Sequence, residues 1–379
     1  MTLPASGAIS FNAINAELGI SGTTTADINQ TKYRQLSFSS ASSGTPISMS
    51  SFYSRFSPGV TFTRSTSGSS AQTGAYGLAF SGSVYVTVGG LGVTAVSRST
   101  DGNTWTDVTS NLTSTGFGFQ STCCVVWNGS FFVIGGSQAA IATSPDGITW
   151  TFRNGLQTAW ATQAVLCIAW NGSMFVAGGS RNAVLGYSSD AITWTRVNAG
   201  NTSDTSWSYN SVAWGNSQFV AGGYAGQIYT SPDGVTWTYR PQLQSTAWGS
   251  STSNSFVNAL AWTGSVWVIG SGSGKCATSA DAITWTYQTG WSLGGLYVLT
   301  PGPTVNGVPA IIGAGRNFGA STGLIAISTD NGVTWTSTWA NLSATGYTTN
   351  SSITAFNWNG TRLFVGQGAS ATSYYAFSP

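Results

Sequence analysis

Histidine is absent from this chain of 379 residues, which excludes acid–base catalysis by imidazole and metal sites built on histidine. Glutamate occurs once, as Glu17, and Asp and Glu together number 10. Because glycoside hydrolysis needs two carboxylates facing one bond, few candidate pairs exist. We therefore expect no catalytic residues, and an enzyme would have to use Asp107 or Asp204.

Charged residues are also scarce. They make up 6% of the chain and leave a formal net charge of +2, whereas an average domain carries roughly 25% charged residues. No basic stripe is available to neutralise phosphates, so nucleic-acid binding is not expected. No stretch has the length of a membrane span, and the N-terminus lacks the basic start and apolar run of a signal peptide. We expect a protein made in the cytoplasm, with no membrane insertion.

The four cysteines match no zinc-binding spacing, and adjacent cysteines rarely bridge each other. Free cysteine is among the most buried residue types, so buried thiols are the simplest interpretation. No metal or cofactor is predicted. The cysteines are Cys123, Cys124, Cys167 and Cys276.

What the chain has in abundance is a repeated phrase of the form Ser-x-Asp-Gly-x-Thr-Trp, with Ala for Gly in two copies and one extra residue in the last. Successive aspartates lie 45, 44, 43, 48 and 49 residues apart. A period of this length in strand-like sequence indicates a radially repeated β-structure. The Asp and Trp of the six copies are Asp101 and Trp105, Asp146 and Trp150, Asp190 and Trp194, Asp233 and Trp237, Asp281 and Trp285, and Asp330 and Trp335.

Each period also contains two short apolar runs around a tight-turn sequence such as Asn171-Gly172, a strong hairpin signal. With one strand before the phrase and one after it, each period makes a four-stranded blade. The C-terminal residues 350–379 begin a seventh blade, and residues 60–66 supply its outer strand. The sequence predicts an all-β, seven-bladed β-propeller over 57–379, closed by its N- and C-terminal strands and preceded by a small helical segment, 1–56.

The repeated phrase resembles the Asp-box, or bacterial neuraminidase repeat, of sialidase-type β-propellers. That resemblance implies a turn between the third and outer strands, remote from the catalytic face, so the six Asp and Trp pairs are interpreted as structural. Sialidases of this fold use an arginine cluster, a tyrosine nucleophile, a glutamate and an acid/base aspartate. No glutamate lies within 57–379, so the resemblance implies the scaffold and not the reaction.

Residues 3–53 are similar to a segment common in tail and tail-fibre proteins of bacteriophages, on the sequences Leu3–Gly19 and Ile47–Tyr53. Taken alone, these residues favour a short helix from Ser10 to Gly19 and a second over 25–36. The similarity implies a phage virion protein in which 1–56 attaches to other tail proteins. A small helical cap without a partner is the alternative interpretation.

Several side chains outside the repeated packing positions are candidates for ligand binding. Four tryptophans recur in loops after the repeated phrase, and two arginines lie between second and third strands. Aromatic faces beside neutral hydrogen-bonding groups suit sugars, whereas burial between blades is the alternative for each tryptophan. The hypotheses are a receptor-binding protein for host-surface glycan, a purely structural virion or decoration protein, and, remotely, a glycan-acting enzyme. The candidates are Trp160, Trp207, Trp248, Trp291, Arg181 and Arg316.

Overall fold

Seven antiparallel β-sheets follow one another along the described part of the chain. The computed structural model describes residues 63–64, 75–89, 95–117, 122–160, 163–180, 184–198, 208–241, 243, 248, 256–291, 294–305, 308–317, 322–336, 352–359, 363–367 and 374–377. They belong to one compact unit, Thr61–Ser378. The predicted attachment segment 1–56 and its two helices lie outside the described residues.

Each sheet is one blade, and its strands are ordered from an inner strand at the ring axis to an outer strand. Strand β1 (Thr63–Arg64) belongs to blade 7. Blades 1 to 3 comprise β2 (Ala75–Phe80), β3 (Tyr85–Gly89), β4 (Ala95–Ser99) and β5 (Thr106–Asp107); β6 (Thr122–Trp127), β7 (Phe132–Gly136), β8 (Ile141–Ser144) and β9 (Thr151–Arg153); and β10 (Val165–Trp170), β11 (Phe175–Gly179), β12 (Val184–Ser188) and β13 (Thr195–Asn198). Blades 4 and 5 comprise β14 (Tyr209–Gly215), β15 (Gln218–Gly223), β16 (Ile228–Ser231) and β17 (Thr238–Arg240); and β18 (Val257–Trp262), β19 (Trp267–Ser271), β20 (Cys276–Ser279) and β21 (Thr286–Gln288). Blade 6 comprises β22 (Gly295–Val305), β23 (Val308–Asn317) and β24 (Thr322–Ser328), and blade 7 comprises β25 (Ile353–Trp358), β26 (Leu363–Gln367) and β27 (Tyr374–Phe377) with β1.

The inner strands form a closed ring, because each contacts the inner strand of the next blade and β25 contacts β2. The predicted seven-bladed propeller of four-stranded antiparallel blades is confirmed. Blade 6 departs most from the pattern. Within the described residues its fourth strand is reduced to one bridge, in which Ile327 and Thr336 exchange backbone hydrogen bonds of 3.1 and 2.9 Å.

The ring closes with strands from both ends of the propeller. Strand β1 pairs antiparallel with β27, so that Thr63 lies opposite Ala376 and Arg64 opposite Tyr375. The predicted outer strand of blade 7 is therefore confirmed within residues 60–66. Pairing of this kind covers an edge that would otherwise present unpaired backbone groups.

The core lies between neighbouring blades rather than within each one. At the seam of blades 7 and 1, for example, Trp105 packs with Tyr85 and Phe364. Close approach of adjacent blades depends on glycine near the axis: a Cβ added to Gly270 would lie 2.3 Å from Leu296 of the next blade. Glycine holds the equivalent place in five blades (Gly135, Gly178, Gly222, Gly270 and Gly366).

Two short helices follow outer strands, at α1 (Thr109–Leu112) and α2 (Gly155–Trp160). The sequence predicts a loop at Trp160, where the structure has α2. Helix α2 fits closely against the next blade, because a Cβ on Gly155 would lie 2.1 Å from the Ile192 carbonyl oxygen. Both helices therefore help to fill the gaps between blades.

Candidate ligand-binding face

The antiparallel strand order gives the ring two different ends. The inner strands begin at one end, which also carries the connections between second and third strands and which we call the mouth face. The first hairpins and the repeated Ser-x-Asp phrases lie at the opposite end, the turn face. Strand β1 runs from the turn face to the mouth face, because it is antiparallel to β27.

The six repeated phrases, here called the Asp turns, each connect a third strand to the outer strand. In blade 4, the Ser231 hydroxyl donates to Asp233 Oδ1 at 2.9 Å and accepts the Gly234 N–H at 2.8 Å. The same Oδ1 accepts the N–H groups of Val235 and Thr236, both at 2.8 Å. The Asp therefore satisfies backbone donors of its own turn, as in other Asx turns. Asp101, Asp146, Asp190, Asp281 and Asp330 likewise accept backbone N–H groups of their own turns.

These donors hold the turn carboxylates in their ionised form. The backbone N–H of Thr104 is the main reason that the pKa of Asp101 falls to about 2, and the pKa of Asp233 is lowered mainly by the N–H of Thr236. At the other four turns burial raises the pKa, but the backbone and hydroxyl donors together outweigh it. The geometry gives these aspartates a structural task far from the mouth face.

The turn tryptophans fill the gaps between blades. Trp150 packs with Val86 and Val96 of the preceding blade. Several of the indole N–H groups donate to a carbonyl of their own Asp turn. Trp237 Nε1, for example, donates to the Gly234 carbonyl at 3.0 Å. Trp105, Trp150, Trp194, Trp285 and Trp335 are buried, and Trp237 is partly buried.

At the mouth face, the inner strand of every blade contains a β-bulge. The register with the second strand shifts across one residue near the start of the inner strand, which is its second residue in six blades and its third, Tyr297, in blade 6. A bulge leaves one residue out of the regular pairing and changes the direction of its side chain. One partly exposed side chain from each blade is thereby placed near the channel, and we call this set the rim: Tyr76, Cys123, Leu166, Asn210, Asn258, Tyr297 and Thr354.

The rim is continuous across several blades. Asn210 Nδ2 donates to Asn258 Oδ1 at 3.1 Å, which joins blades 4 and 5. The Thr354 hydroxyl donates to the Ala75 carbonyl across the closure seam. Burial, followed by the neighbouring thiol of Cys123, raises the pKa of Tyr76. The rim is thus neutral, and it combines amide, hydroxyl and aromatic groups.

The structure buries three of the predicted ligand-binding tryptophans. Trp160, Trp248 and Trp291 are 1%, 0% and 3% exposed. A Cβ on Gly226 would lie 2.4 Å from Trp248 Cδ1, and a Cβ on Gly179 would lie 2.7 Å from Trp160 Cζ3. These rings pack between blades and offer no face to a sugar, so the alternative of burial applies to them.

The other candidates lie elsewhere. Arg316 lies one residue before the end of β23 at the mouth face and is half-buried opposite Gly295. Arg181 and Trp207 lie outside the described residues. Asp107, considered for an enzyme, accepts the N–H of Thr109, the first residue of α1, at 2.8 Å. Asp204 lies outside the described residues.

The thiols are held in an apolar setting. Burial raises the pKa of Cys123 to about 11, and it raises the pKa of Cys167 and Cys276 to about 12. In the part of the chain that the structure covers, no group of three His, Cys, Asp or Glu side chains could hold a metal ion. None of the described helices is long and apolar enough to cross a membrane.

Comparison with known proteins supports the fold alone. No family model matches the chain, and no curated protein matches it. Among solved structures, the chain is similar to the WD40 β-propeller domain of Doa1, with a TM-score of 0.57, 15% identity and coverage of 84% of this chain and 97% of that one. It is also similar to YCF48 from Cyanidioschyzon merolae, with a TM-score of 0.56, 15% identity and coverage of 84% and 98%. The chain is therefore a seven-bladed β-propeller, and its similarities to the Asp-box and to phage tail proteins stay predictions.

Proposed function

We propose that this chain is a non-enzymatic bacteriophage virion protein whose propeller binds a host-surface glycan at the mouth face. The observation that carries the proposal is the neutral rim, in which every blade contributes one side chain. Amide and hydroxyl groups beside aromatic rings recognise the hydroxyls and the apolar faces of sugars. The rim includes Tyr76, Asn210, Asn258, Tyr297 and Thr354.

The similarity of residues 3–53 to phage tail proteins supports the virion part of the proposal. In this reading, 1–56 attaches to other tail proteins and the propeller faces the host. The course of the chain is compatible with that arrangement, because β1 starts at the turn face. The polypeptide thus enters the propeller at the end opposite the rim.

A binding role without catalysis agrees with the hydrogen bonds of the described aspartates, which accept backbone N–H groups. Six of them accept hydrogen bonds within turns, and Asp107 accepts the N–H of Thr109 at the start of α1. A glycosidase needs two carboxylates on either side of one bond. The described part of the mouth face brings no such pair to the rim.

A purely structural virion protein without a receptor is the second candidate. It is favoured by a ring of exposed β-branched side chains at the tips of five Asp turns, where a partner protein could pack. The side chains are 38–45% exposed: Ile148, Ile192, Val235, Ile283 and Val333.

Binding of the full-length chain to a glycan array, followed by competition with the parent phage for adsorption to host cells, tests the proposal. We expect saturable glycan binding that reduces adsorption. Because the rim is uncharged, the affinity should change little between low and high salt. Absence of glycan binding, with the protein still incorporated into particles, would leave the structural role in its place.

A further inference from the structure

Within the rim, and resting on the function proposed above, we propose that blades 4 to 6 hold a subsite for one uncharged pyranose. The subsite consists of the amide pair Asn210 and Asn258 and the ring of Tyr297. These residues come from three consecutive blades and are all placed by the bulges described above.

The two amides are held in fixed orientations by a short relay. The Ser208 hydroxyl donates to Asn210 Oδ1 at 2.8 Å, and Asn210 Nδ2 donates to Asn258 Oδ1 at 3.1 Å. Asn258 Nδ2 donates to none of the described residues. An oriented amide that keeps its N–H groups at a partly exposed surface can donate to sugar hydroxyl oxygens without reorganisation.

The ring of Tyr297 lies beside this relay in a space left open by two glycines. A Cβ on Gly272 would lie 3.2 Å from Tyr297 Cε1 and 2.8 Å from Asn258 Nδ2. A Cβ on Gly295 would lie 3.0 Å from Tyr297 Cε2. The two glycines therefore let the amide and the aromatic ring lie next to each other, which places a hydrogen-bonding group beside an apolar face.

The remaining rim positions do not combine these groups. The Thr354 hydroxyl already donates its hydrogen bond to the Ala75 carbonyl. Leu166 and Cys123 offer no oriented polar group, and Tyr76 has the Cys123 thiol as its neighbour. This asymmetry assigns the subsite to one side of the rim.

The chemistry of the subsite selects a neutral ligand. Amide N–H groups and amide oxygens match the alternating donors and acceptors of sugar hydroxyls, and a tyrosine ring matches the C–H face of a pyranose. Asn258 and Asn210 contribute amides and Tyr297 contributes a phenol, so the subsite contains no carboxylate, ammonium or guanidinium group. We therefore expect neutral hexoses or N-acetylhexosamines to bind, in preference to acidic sugars.

Isothermal titration of the full-length chain with the methyl glycosides of glucose, galactose, mannose and N-acetylglucosamine, and with sialyllactose as the acidic probe, tests this subsite. We expect Asn258→Ala and Tyr297→Ala each to weaken the best neutral ligand by about tenfold or more, the size of a lost hydrogen bond or stacking contact. Gly272→Ala should weaken it too, because the new methyl group displaces both side chains. Tyr287→Ala is the matched control, since it removes an exposed tyrosine of the outer strand β21, outside the rim, and it should leave the affinity within about threefold.

The possible failures are distinguishable. If the unchanged chain binds none of these sugars and no array glycan, the proposed function fails together with the subsite. If it binds a sugar, and Tyr76→Ala abolishes binding while Asn258→Ala and Tyr297→Ala do not, glycan binding stands and the subsite is refuted. Preference for sialyllactose would also refute it. Thermal unfolding of each variant shows that a loss of binding does not reflect a loss of fold.

Discussion

Replacement of Thr87 by Val should stabilise the propeller. Thr87 lies in the second strand of blade 1, is 0% exposed, and its hydroxyl has no hydrogen-bond partner among the described residues. It faces the seam of blades 7 and 1, where Leu78, Ala355 and Phe364 also lie. The equivalent positions in the other blades are all apolar: Ile134, Ala177, Ala221, Ile269, Gly313 and Val365.

The expected gain follows from the cost of burying a hydroxyl without a partner. That cost is about 1–3 kcal/mol in proteins, and Val keeps both the shape and the β-branching of Thr. Unfolding entropy is about 2.1 cal/mol/K per residue, or about 0.7 kcal/mol/K for a unit of roughly 320 residues. The melting temperature of Thr87→Val should therefore rise by about 1.5–4 °C.

Differential scanning calorimetry of the full chain measures this change, and Val365→Thr provides the reciprocal control. Val365 is 1% exposed and lines the same seam from blade 7. The control places a new hydroxyl there and should lower the melting temperature by a similar amount. A fall in the melting temperature of Thr87→Val would show that the native hydroxyl is hydrogen-bonded, and would refute the reasoning.

Three further predictions concern the ring and its turns. Deletion of Ser373–Pro379 removes the partner of β1 and should lower the melting temperature sharply; an unchanged melting curve would argue against closure. Because the folded-state pKa of Asp101 is about 2, below its unfolded value near 4, its stabilising contribution is complete above about pH 5 and is lost as the pH falls from about 4 to 2. The melting temperature should fall over that range, and less so in Asp101→Asn. Gly102→Ala should destabilise by several kcal/mol, because φ is +72° and the new Cβ would lie 2.0 Å from Phe364. Gly82→Ala, with φ of +98° and nothing within 4 Å, should cost only about 1 kcal/mol.

The fold could be predicted because its determinants are local and repeated. Each hairpin has a turn signal such as Asn171-Gly172, where the Asn171 side chain accepts the N–H groups of Ser173 and Met174 at 2.9 and 2.6 Å. Each Asp turn is likewise stabilised by residues within a few positions of the Asp. Even the closure was predictable, since residues 57–63 resemble a turn and the strand that follows it.

The candidate site was not predictable in the same way. The loop tryptophans are predicted to bind a ligand because they lie outside the repeated packing positions. Trp160 and Trp248 are nevertheless buried, because they contact Gly179 and Gly226, which are distant from them in the chain. The rim arises from β-bulges, and no particular residue type marks the position of a bulge within an apolar strand sequence. A usable signal existed in polar residues such as Asn210 and Asn258, which interrupt inner strands at the same position.

Two sets of equivalent backbone positions, one in the second strands and one at the rim, differ in how far their residues vary between blades. Directly after the first aromatic residue of the second strand, five successive blades carry the same side chain, because it packs against a neighbouring blade: Val86, Val133, Val176, Val220 and Val268. At the rim, the seven blades present five different residue types in equivalent backbone positions. Packing between blades does not require that variety, since the rim side chains are only partly buried. A ligand that lies across the mouth face would contact different groups on each side, so a symmetric fold can hold an asymmetric molecule in one orientation.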